Sequence, residues 1–380
     1  MLTENRWIPL IGLTVAHFVN DFYQYFPSLL LPFFIPEFGL SYFSGGIIVA
    51  AYLGAMVLSN PIIGHFADVY EKRKLILCFG LALYSISVFA LSFARDYLTL
   101  LAINLLMGVG VSAYHPQATK FISVNYGKQM GKIMGLHGIG GGVGFLAAPI
   151  ILVPLAYTIG WRGAVSFLFI PGLLMAVILW MILKEPKTEP ARITSKIKIR
   201  PIILLSIVYG FGGFVFRGFT NFLPAYLIAA RGTTTVEMGL LTGLVMGTAI
   251  FAEPLGGTIS DFIGRRKMFM ISFFLLMLSI IAFMNTSGLI SLVFLVLIGF
   301  WAQSILPVGL TFASELAPVG RAGLFVGIVF SSSMGLGLIS TLMVGYLIDA
   351  FGFYWSFVSL SLFAGLASVL SLLLPQRDKS

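Results

Sequence analysis

Gly64 to Lys74 reads GHFADVYEKRK, and Gly257 to Lys267, 193 residues later, reads GTISDFIGRRK. Both stretches hold a glycine, an acid four positions on, and a basic triplet at the end. Pro61 and Pro254 keep the same offset, while Pro32 with Pro224, Gly135 with Gly327 and Gly160 with Gly352 fall at 192. One register carried this far along a chain marks an internal duplication. Around these anchors the sequence holds apolar runs of about 20 residues or more, the length at which a helix crosses a bilayer. They lie at 8-34, 43-66, 75-93, 98-119, 133-157, 163-183, 202-229, 238-259, 269-285, 289-312, 322-348 and 353-374. The expected architecture is all-α: twelve transmembrane helices in two pseudo-symmetric six-helix bundles, 1-184 and 201-380, joined by a cytoplasmic linker at 185-200.

Composition fixes the solvent. Hydrophobic residues make up 58% of the chain and charged residues 10%, against about 25% charged in an ordinary soluble domain. Such a mixture cannot build a water-facing surface for most of its length, so lipid must surround it. The net charge of +9 sits in short connections between apolar runs. That placement suits anionic headgroups and gives no reason to invoke nucleic acid. If the N-terminus is cytoplasmic, nineteen lysines and arginines fall on the inner side and three, Arg95, Arg162 and Arg231, on the outer side. The asymmetry predicts a multi-pass cell-membrane protein with both termini in the cytoplasm. The segment Lys184 to Arg200, KEPKTEPARITSKIKIR, has two prolines, six basic residues and no core-forming pattern, hence its reading as a linker. The single cysteine, Cys78, excludes a disulfide framework. The lead from Met1 to Pro9 carries no cleavable signal pattern, and the first run is expected to be retained.

Polar residues inside apolar runs are the informative ones, because a polar stripe on a spanning helix must face protein or water. His17, Asn20, Asp21, Gln24 and Ser28 share one face of the first run. Asn104, Gly108, Ser112, His115 and Thr119 do so on the fourth, and Tyr209, Gly213, Arg217, Thr220 and Asn221 on the seventh; the tenth offers Gln303, Pro307, Thr311 and Ser314. Asp21 and Arg217 sit mid-span, each at a cost of roughly 2.5–3.5 kcal/mol on insertion scales. They are either a static ion pair between halves or working groups in coupling and substrate binding. His17, one turn before Asp21, suits a proton relay, or a packed ring bonded to a carbonyl. His115 precedes Pro116, which frees a carbonyl, and either fills that gap or meets substrate. His65 and His137 read as structural. Glu253, before Pro254, belongs to a cytoplasmic charge network with Asp261, Glu315 and Arg321, or is a second protonatable site. No histidine–cysteine–carboxylate spacing calls for a metal, and no cofactor motif is present. Small residues recur at Gly46, Ala50 and Gly54, at Gly131, Gly135, Gly138 and Gly142, at Gly239, Gly243 and Gly247, and at Gly323, Gly327, Ser331 and Gly335. Such stripes predict close helix packing, a better account of GIGGGVG at 138-144 than a nucleotide loop.

The stretch from Gly64 to Lys74 resembles the major facilitator signature between helices 2 and 3, with a second copy between helices 8 and 9. Val69 replaces the usual base and Glu71 the glycine in the first copy; Phe262 replaces the base in the second, which keeps Gly264. The resemblance implies a cytoplasmic gate formed by Gly64, Asp68, Lys72, Arg73, Lys74, Gly257, Asp261, Gly264, Arg265 and Arg266. Plain positive-inside anchoring is the other account of the basic triplet. A closer resemblance rests on His17-Phe-Val-Asn20-Asp21-Phe-Tyr23 with Pro32, Tyr114-His115-Pro116, Gly138 to Gly144, Phe216-Arg217 and Phe222-Leu-Pro224. These are similar to the fosmidomycin-resistance branch of drug-efflux proteins. Two superfamily features differ: Asn104 stands where helix 4 usually carries arginine, and Ala148-Pro149 replaces the Gly-Pro that ends the antiporter pattern. The resemblance implies that helices 1, 4, 7 and 10 line a cavity and that helices 2 with 11 and 5 with 8 form the seams.

The expected function is therefore proton-coupled efflux, by antiport, of a small organic or drug-like molecule through alternating access. The substrate and proton cavity is expected to include His17, Asn20, Asp21, Gln24, Asn104, His115, Arg217, Asn221 and Gln303, in a monomer whose partners are its cargo, protons and the bilayer. Uptake of an organic anion with protons, Arg217 holding a carboxylate or phosphonate, is the rival within transport. A lipid-acting enzyme lacks a nucleophile–base constellation, and a receptor would carry a signalling extension.

Overall fold

The computed structural model describes residues 7–126, 130–185, 199–318 and 322–376. The Asp68 side chain, linker residues 186–198 and Arg321 lie outside the described residues, so expectations placed on them are not taken further. The described residues form helices and connections without a strand. In order these are α1 (Trp7–Gln24), α2 (Phe26–Leu29), α3 (Leu31–Phe38), α4 (Tyr42–Tyr70), α5 (Arg73–Leu91), α6 (Tyr97–Ser112), α7 (Tyr114–Tyr126), α8 (Met130–Leu168), α9 (Ile170–Ile182), α10 (Ile199–Ala229), α11 (Thr235–Gly247), α12 (Ala249–Ile263), α13 (Arg265–Met284), α14 (Gly288–Leu316) and α15 (Ala322–Leu370).

Nine helical stretches among the described residues are long and apolar enough to span a bilayer. Two of them, Ile133–Ile182 and Gly323–Leu373, run for 50 and 51 residues. At 1.5 Å per residue either would be more than twice the roughly 30 Å hydrocarbon core if straight. Each is interrupted by a non-helical glycine: Gly160 (φ 77°, ψ 151°) and Gly352 (φ 77°, ψ 172°). A side chain disfavours that backbone region. Each long stretch thus supplies two crossings, and the whole is compatible with twelve. The connection expected between 157 and 163 shrinks to this one residue. The expected 8-34 run is three helices, extends to Phe38, and breaks around Tyr25 and Leu30, just before Pro27 and Pro32. Proline cannot donate to the preceding turn. The expected 98-119 run continues to Tyr126 with a break at Ala113.

The chain forms two compact units. One comprises Met1–Leu40, Ile47–Glu189 and Leu227–Gly243; the other comprises Ser41–Gly46, Pro190–Tyr226 and Leu244–Ser380. In the first, α1 packs on α8 and α9, and α5 on α6 and α9. Tyr23 ties three of these together: its hydroxyl donates to the Leu168 carbonyl (2.6 Å) and accepts from the Gly172 N–H (3.0 Å). Tyr114 donates to the Leu13 carbonyl. At one end Glu37 accepts from the Trp161 indole (2.6 Å) and pairs with Arg162, whose other nitrogen donates to the Ala94 carbonyl at 2.7 Å. Asp96 caps α6 by accepting from the Thr99 N–H (2.8 Å) and hydroxyl (2.9 Å). Those bonds hold its carboxyl below the usual carboxylate range. A depressed folded value means the cap acts above the unfolded pKa and is lost as pH falls through the folded one.

In the second unit α13 packs on α14 and α15, and α12 on α14. Asp349, near the middle of α15, accepts from the N–H groups of Tyr42 (2.9 Å) and Phe43 (2.8 Å). These are the first donors of α4, which its own turns cannot satisfy, and the carboxylate also meets the positive end of the helix dipole. Asp349→Asn removes the charge and one acceptor. We expect a loss of about 1 kcal/mol, measured as a lower thermal unfolding midpoint in detergent. An unchanged midpoint would show that the cap contributes nothing.

Small-residue stripes pack only in part. A Cβ at Gly46 would lie 3.1 Å from the Thr341 carbonyl oxygen, one at Gly239 would lie 2.8 Å from that of Pro149, and one at Gly243 would lie 3.1 Å from Ile150. Gly135, Gly138, Gly323, Gly327 and Gly335 meet nothing within 4 Å of such an atom. On α8 the packing glycines are instead Gly140, Gly141 and Gly144, because that face receives α1.

Candidate functional site

Residues one turn apart on a helix share a face, so α1 presents His17, Asn20 and Asp21 together. His115 reaches them from α7. Pro116 has no N–H for the Ser112 carbonyl, and the helix breaks at Ala113, so His115 stands at a helix start. Asp21 is 3% exposed and sits between the two imidazoles: His17 Nε2 is 3.2 Å from Oδ2, and His115 Nε2 is 3.4 Å from Oδ1. The Asn20 amide donates to Oδ1 at 2.9 Å and lies 3.4 Å from His115 Nε2. Gly141 allows this approach. A Cβ there would lie 2.5 Å from Asp21 Oδ2 and 2.7 Å from the His17 ring.

His137 joins the group from α8. Its carbonyl accepts from His17 Nδ1 at 2.9 Å, and its ring stacks on that of His17 (centroids 4.3 Å apart, planes 15° apart). His137, read from the sequence as structural, thus packs within the cluster. The consequence for His17 is chemical. A neutral imidazole has one N–H and one lone pair. Nδ1 must donate, because it faces a carbonyl, and Nε2 faces a carboxylate oxygen. Both contacts are hydrogen bonds only if His17 is an imidazolium or Asp21 is protonated. The pair therefore has room for one proton beyond the neutral ring and free carboxylate.

His17, Asp21 and His115 each offer a ligand atom within 4.8 Å of the others, so the fold brings together a donor set that spacing along the sequence did not announce. The 3.2 Å contact is the separation of a hydrogen-bonded pair, which fits a shared proton without any rearrangement.

The second unit holds Arg217, Asn221, Gln303 and Glu253. Arg217 is 8% exposed, and Nη2 lies 3.0 Å from the Met334 sulfur. Asn221 donates to the Thr341 hydroxyl at 2.9 Å. The Gln303 amide is held by the Val245 carbonyl (2.9 Å), the Thr248 hydroxyl (2.6 Å) and the Gly299 carbonyl (3.2 Å), so it ties α14 to α11. Asn104, in the first unit, is fully buried and donates to the Leu100 carbonyl one turn back at 2.8 Å. Gln24 is half-buried at the end of α1.

Of the gate residues, the second copy is held by Arg265. Arg265 pairs with Asp261 (2.6 Å) and Glu315 (3.1 Å) and donates to Ser260. Gly264 takes φ 93° at the turn into α13, which its missing side chain permits. In the first copy Glu185 caps α5, accepting from the N–H groups of Arg73 (2.6 Å) and Lys74 (3.1 Å). Lys74 lies over the Trp180 ring at 4.7 Å, while Gly64 meets nothing within 4 Å and Lys72 is exposed. Arg266 is half-buried and Gly257 makes an ordinary 3.9 Å contact with Pro307.

The Major Facilitator Superfamily model matches residues 13–234 and again 205–380. The chain belongs to the Major Facilitator Superfamily. Its relatives include an uncharacterized MFS-type transporter of Bacillus subtilis, 24% identical over 97% of this chain and 93% of that protein. They also include the fosmidomycin resistance protein of Escherichia coli, 23% identical over 89% of this chain and 86% of that one. Among solved structures, a bacterial homologue of the human lysosomal transporter Spinster, inward-facing and occupied, superposes with a TM-score of 0.85 at 18% identity, covering 96% of each chain. That likeness shows the fold. The chain is thus a multi-pass membrane transporter of the superfamily and not an enzyme. The asparagine on α6 donates back to its own helix, and the buried titratable cluster is built from α1, α7 and α8.

Proposed function

We propose that this chain is a proton-coupled secondary transporter that exports a small organic molecule in exchange for protons, with Asp21 as the proton-carrying centre. The observation that supports the reading is the pair of acceptors facing His17, which leaves a place for one proton between His17 and Asp21. The other titratable groups near Asp21 are His115 on α7, in contact with it, and, within electrostatic range, His137 on α8 and the buried phenols of Tyr114 and, on α5, Tyr84. No lysine or arginine pairs with it among the described residues. A proton held by two imidazoles and one carboxylate, without a fixed cation, exchanges with whichever side the cavity faces. Its loss leaves a buried carboxylate beside neutral rings, a state that the protein stabilises less well. Alternating access then couples cargo to the proton.

The test is a reconstituted proteoliposome with a pH-sensitive dye inside. In right-side-out vesicles loaded with cargo, downhill cargo exit should acidify the lumen, and collapsing the gradient should stop uphill movement. Alkalinisation during exit would mean that cargo and proton travel together and that export by exchange is wrong. An unchanged lumen would show that transport is uncoupled.

A further inference from the structure

We propose that the second unit contains an oxyanion subsite with Arg217 as its cation, and that the Tyr209 hydroxyl, two helical turns away, donates to a separate acceptor of the cargo, so that the cargo carries a carboxylate, phosphonate or sulfonate group at one end. The proposal rests on the transport reading above and deepens it by naming the cargo's chemistry.

Arg217 is 92% buried by its 8% exposure, yet the partner it has among the described residues is a thioether sulfur. A guanidinium carries five donors in a planar fork, and a thioether is a weak acceptor. Buried arginines that serve the fold are matched by a carboxylate with satisfied hydrogen bonds. Arg217 makes no ion pair among the described residues. Tyr209, two helical turns earlier on α10, is 2% exposed, and its hydroxyl has no hydrogen-bond partner among the described residues. That hydroxyl lies within electrostatic range of both Arg217 and Glu253.

The surroundings are shaped for these two side chains. A Cβ at Gly337 on α15 would sit 2.5 Å from Arg217 Cδ, and one at Gly309 on α14 would overlap the Tyr209 ring. Two glycines on two other helices thus make room for a donor fork that meets a thioether and for a phenol without a hydrogen-bond partner among the described residues. A planar or tetrahedral oxyanion accepts two parallel N–H bonds from a guanidinium. Met334, polarizable and unbranched, can yield its place to such a group. The separation along α10 suits a cargo with an anionic end at Arg217 and an acceptor near Tyr209.

The experiment uses the full chain in nanodiscs, with intrinsic tryptophan fluorescence during heating as the readout, so that binding is measured without transport. The probes are benzoate, phenylphosphonate, benzenesulfonate and neutral benzamide at millimolar concentration. At least one anion should raise the midpoint, and benzamide should not. Arg217→Met should weaken that anion at least ~30-fold. Ligand-free Arg217→Met should be at least as stable as the parent, since it removes a buried charge without a counter-ion. This arm also covers the case of a variant that merely unfolds. A lower ligand-free midpoint for Arg217→Met would mark a structural arginine and overturn the proposal. So would equal stabilisation by benzamide, or no shift with any of the three anions. The two readings fail separately: if the parent binds an anion while Asp21→Asn protein pumps at the parent rate, the proton reading fails and the cargo class survives; if Asp21→Asn protein loses pumping and the parent binds none of the three anions, the reverse holds.

Discussion

Asp21→Asn protein, reconstituted into liposomes under an imposed pH gradient, should accumulate no more cargo than empty vesicles, while exchange of labelled for unlabelled cargo continues. The argument follows the protons. His17 Nδ1 donates to the His137 carbonyl, so Nε2 is the nitrogen that faces Asp21. An asparagine amide can donate to that nitrogen, which satisfies a neutral imidazole with no added proton. The substitution preserves volume and hydrogen bonding and should leave the thermal midpoint within about 1 kcal/mol of the parent. The place for a transferable proton, however, is gone. Exchange needs only that cargo ride the cavity from side to side, so it should persist. Reconstituted Asp21→Asn protein that still concentrates cargo at the parent rate would place the proton elsewhere, with Glu253 the next carboxylate to replace.

Gly141→Val should be nearly as damaging for a different reason. The Asp21 and His17 side chains lie so close to α8 that even a Cβ at this position would lie 2.5 Å from Asp21 Oδ2 and 2.7 Å from His17. Either the carboxylate swings away from the imidazoles or the two helices part. Overpacking of this kind costs about 1–3 kcal/mol, and the damage falls on the site itself. Coupled transport should drop to background while protein is still recovered folded. Gly138→Val, three residues away in the same glycine run, is the control. A Cβ there meets nothing within 4 Å, so transport should be retained. Equal loss in both variants would mean that the run matters for helix propensity or insertion and not for contact with Asp21.

The duplication, the apolar runs and the basic triplets were all legible, because each leaves a period or an offset in the sequence. The helix breaks near Tyr25 and Leu30 were less so: Pro27 and Pro32 announce trouble, but not whether a helix kinks or splits. In the site, His17, Asn20 and Asp21 could be read from their one-turn spacing. His137 could not, since it contributes a carbonyl and a stacked ring, and neither leaves a pattern; the small residues beside it, Gly140 and Gly141, were the available hint. Asn104 and Gln303 lie on readable polar stripes, yet their amides hold backbone carbonyls. A stripe says that a residue avoids lipid. It does not say whether the amide faces open space or a neighbouring carbonyl, because both satisfy the same demand for a partner.

Gly160 and Gly352 place a limit on how this protein can be handled. At both points one helix gives way to the next with a single residue between them, so there is no slack segment to cut or to lengthen. Epitope tags and fluorescent proteins are tolerated where exposed backbone is free of helical hydrogen bonds; here an insert would unwind a turn on each side. A probe meant to report on these two turns is therefore better attached as a single small label on a neighbouring exposed side chain, such as Tyr157 or Trp355 replaced by cysteine.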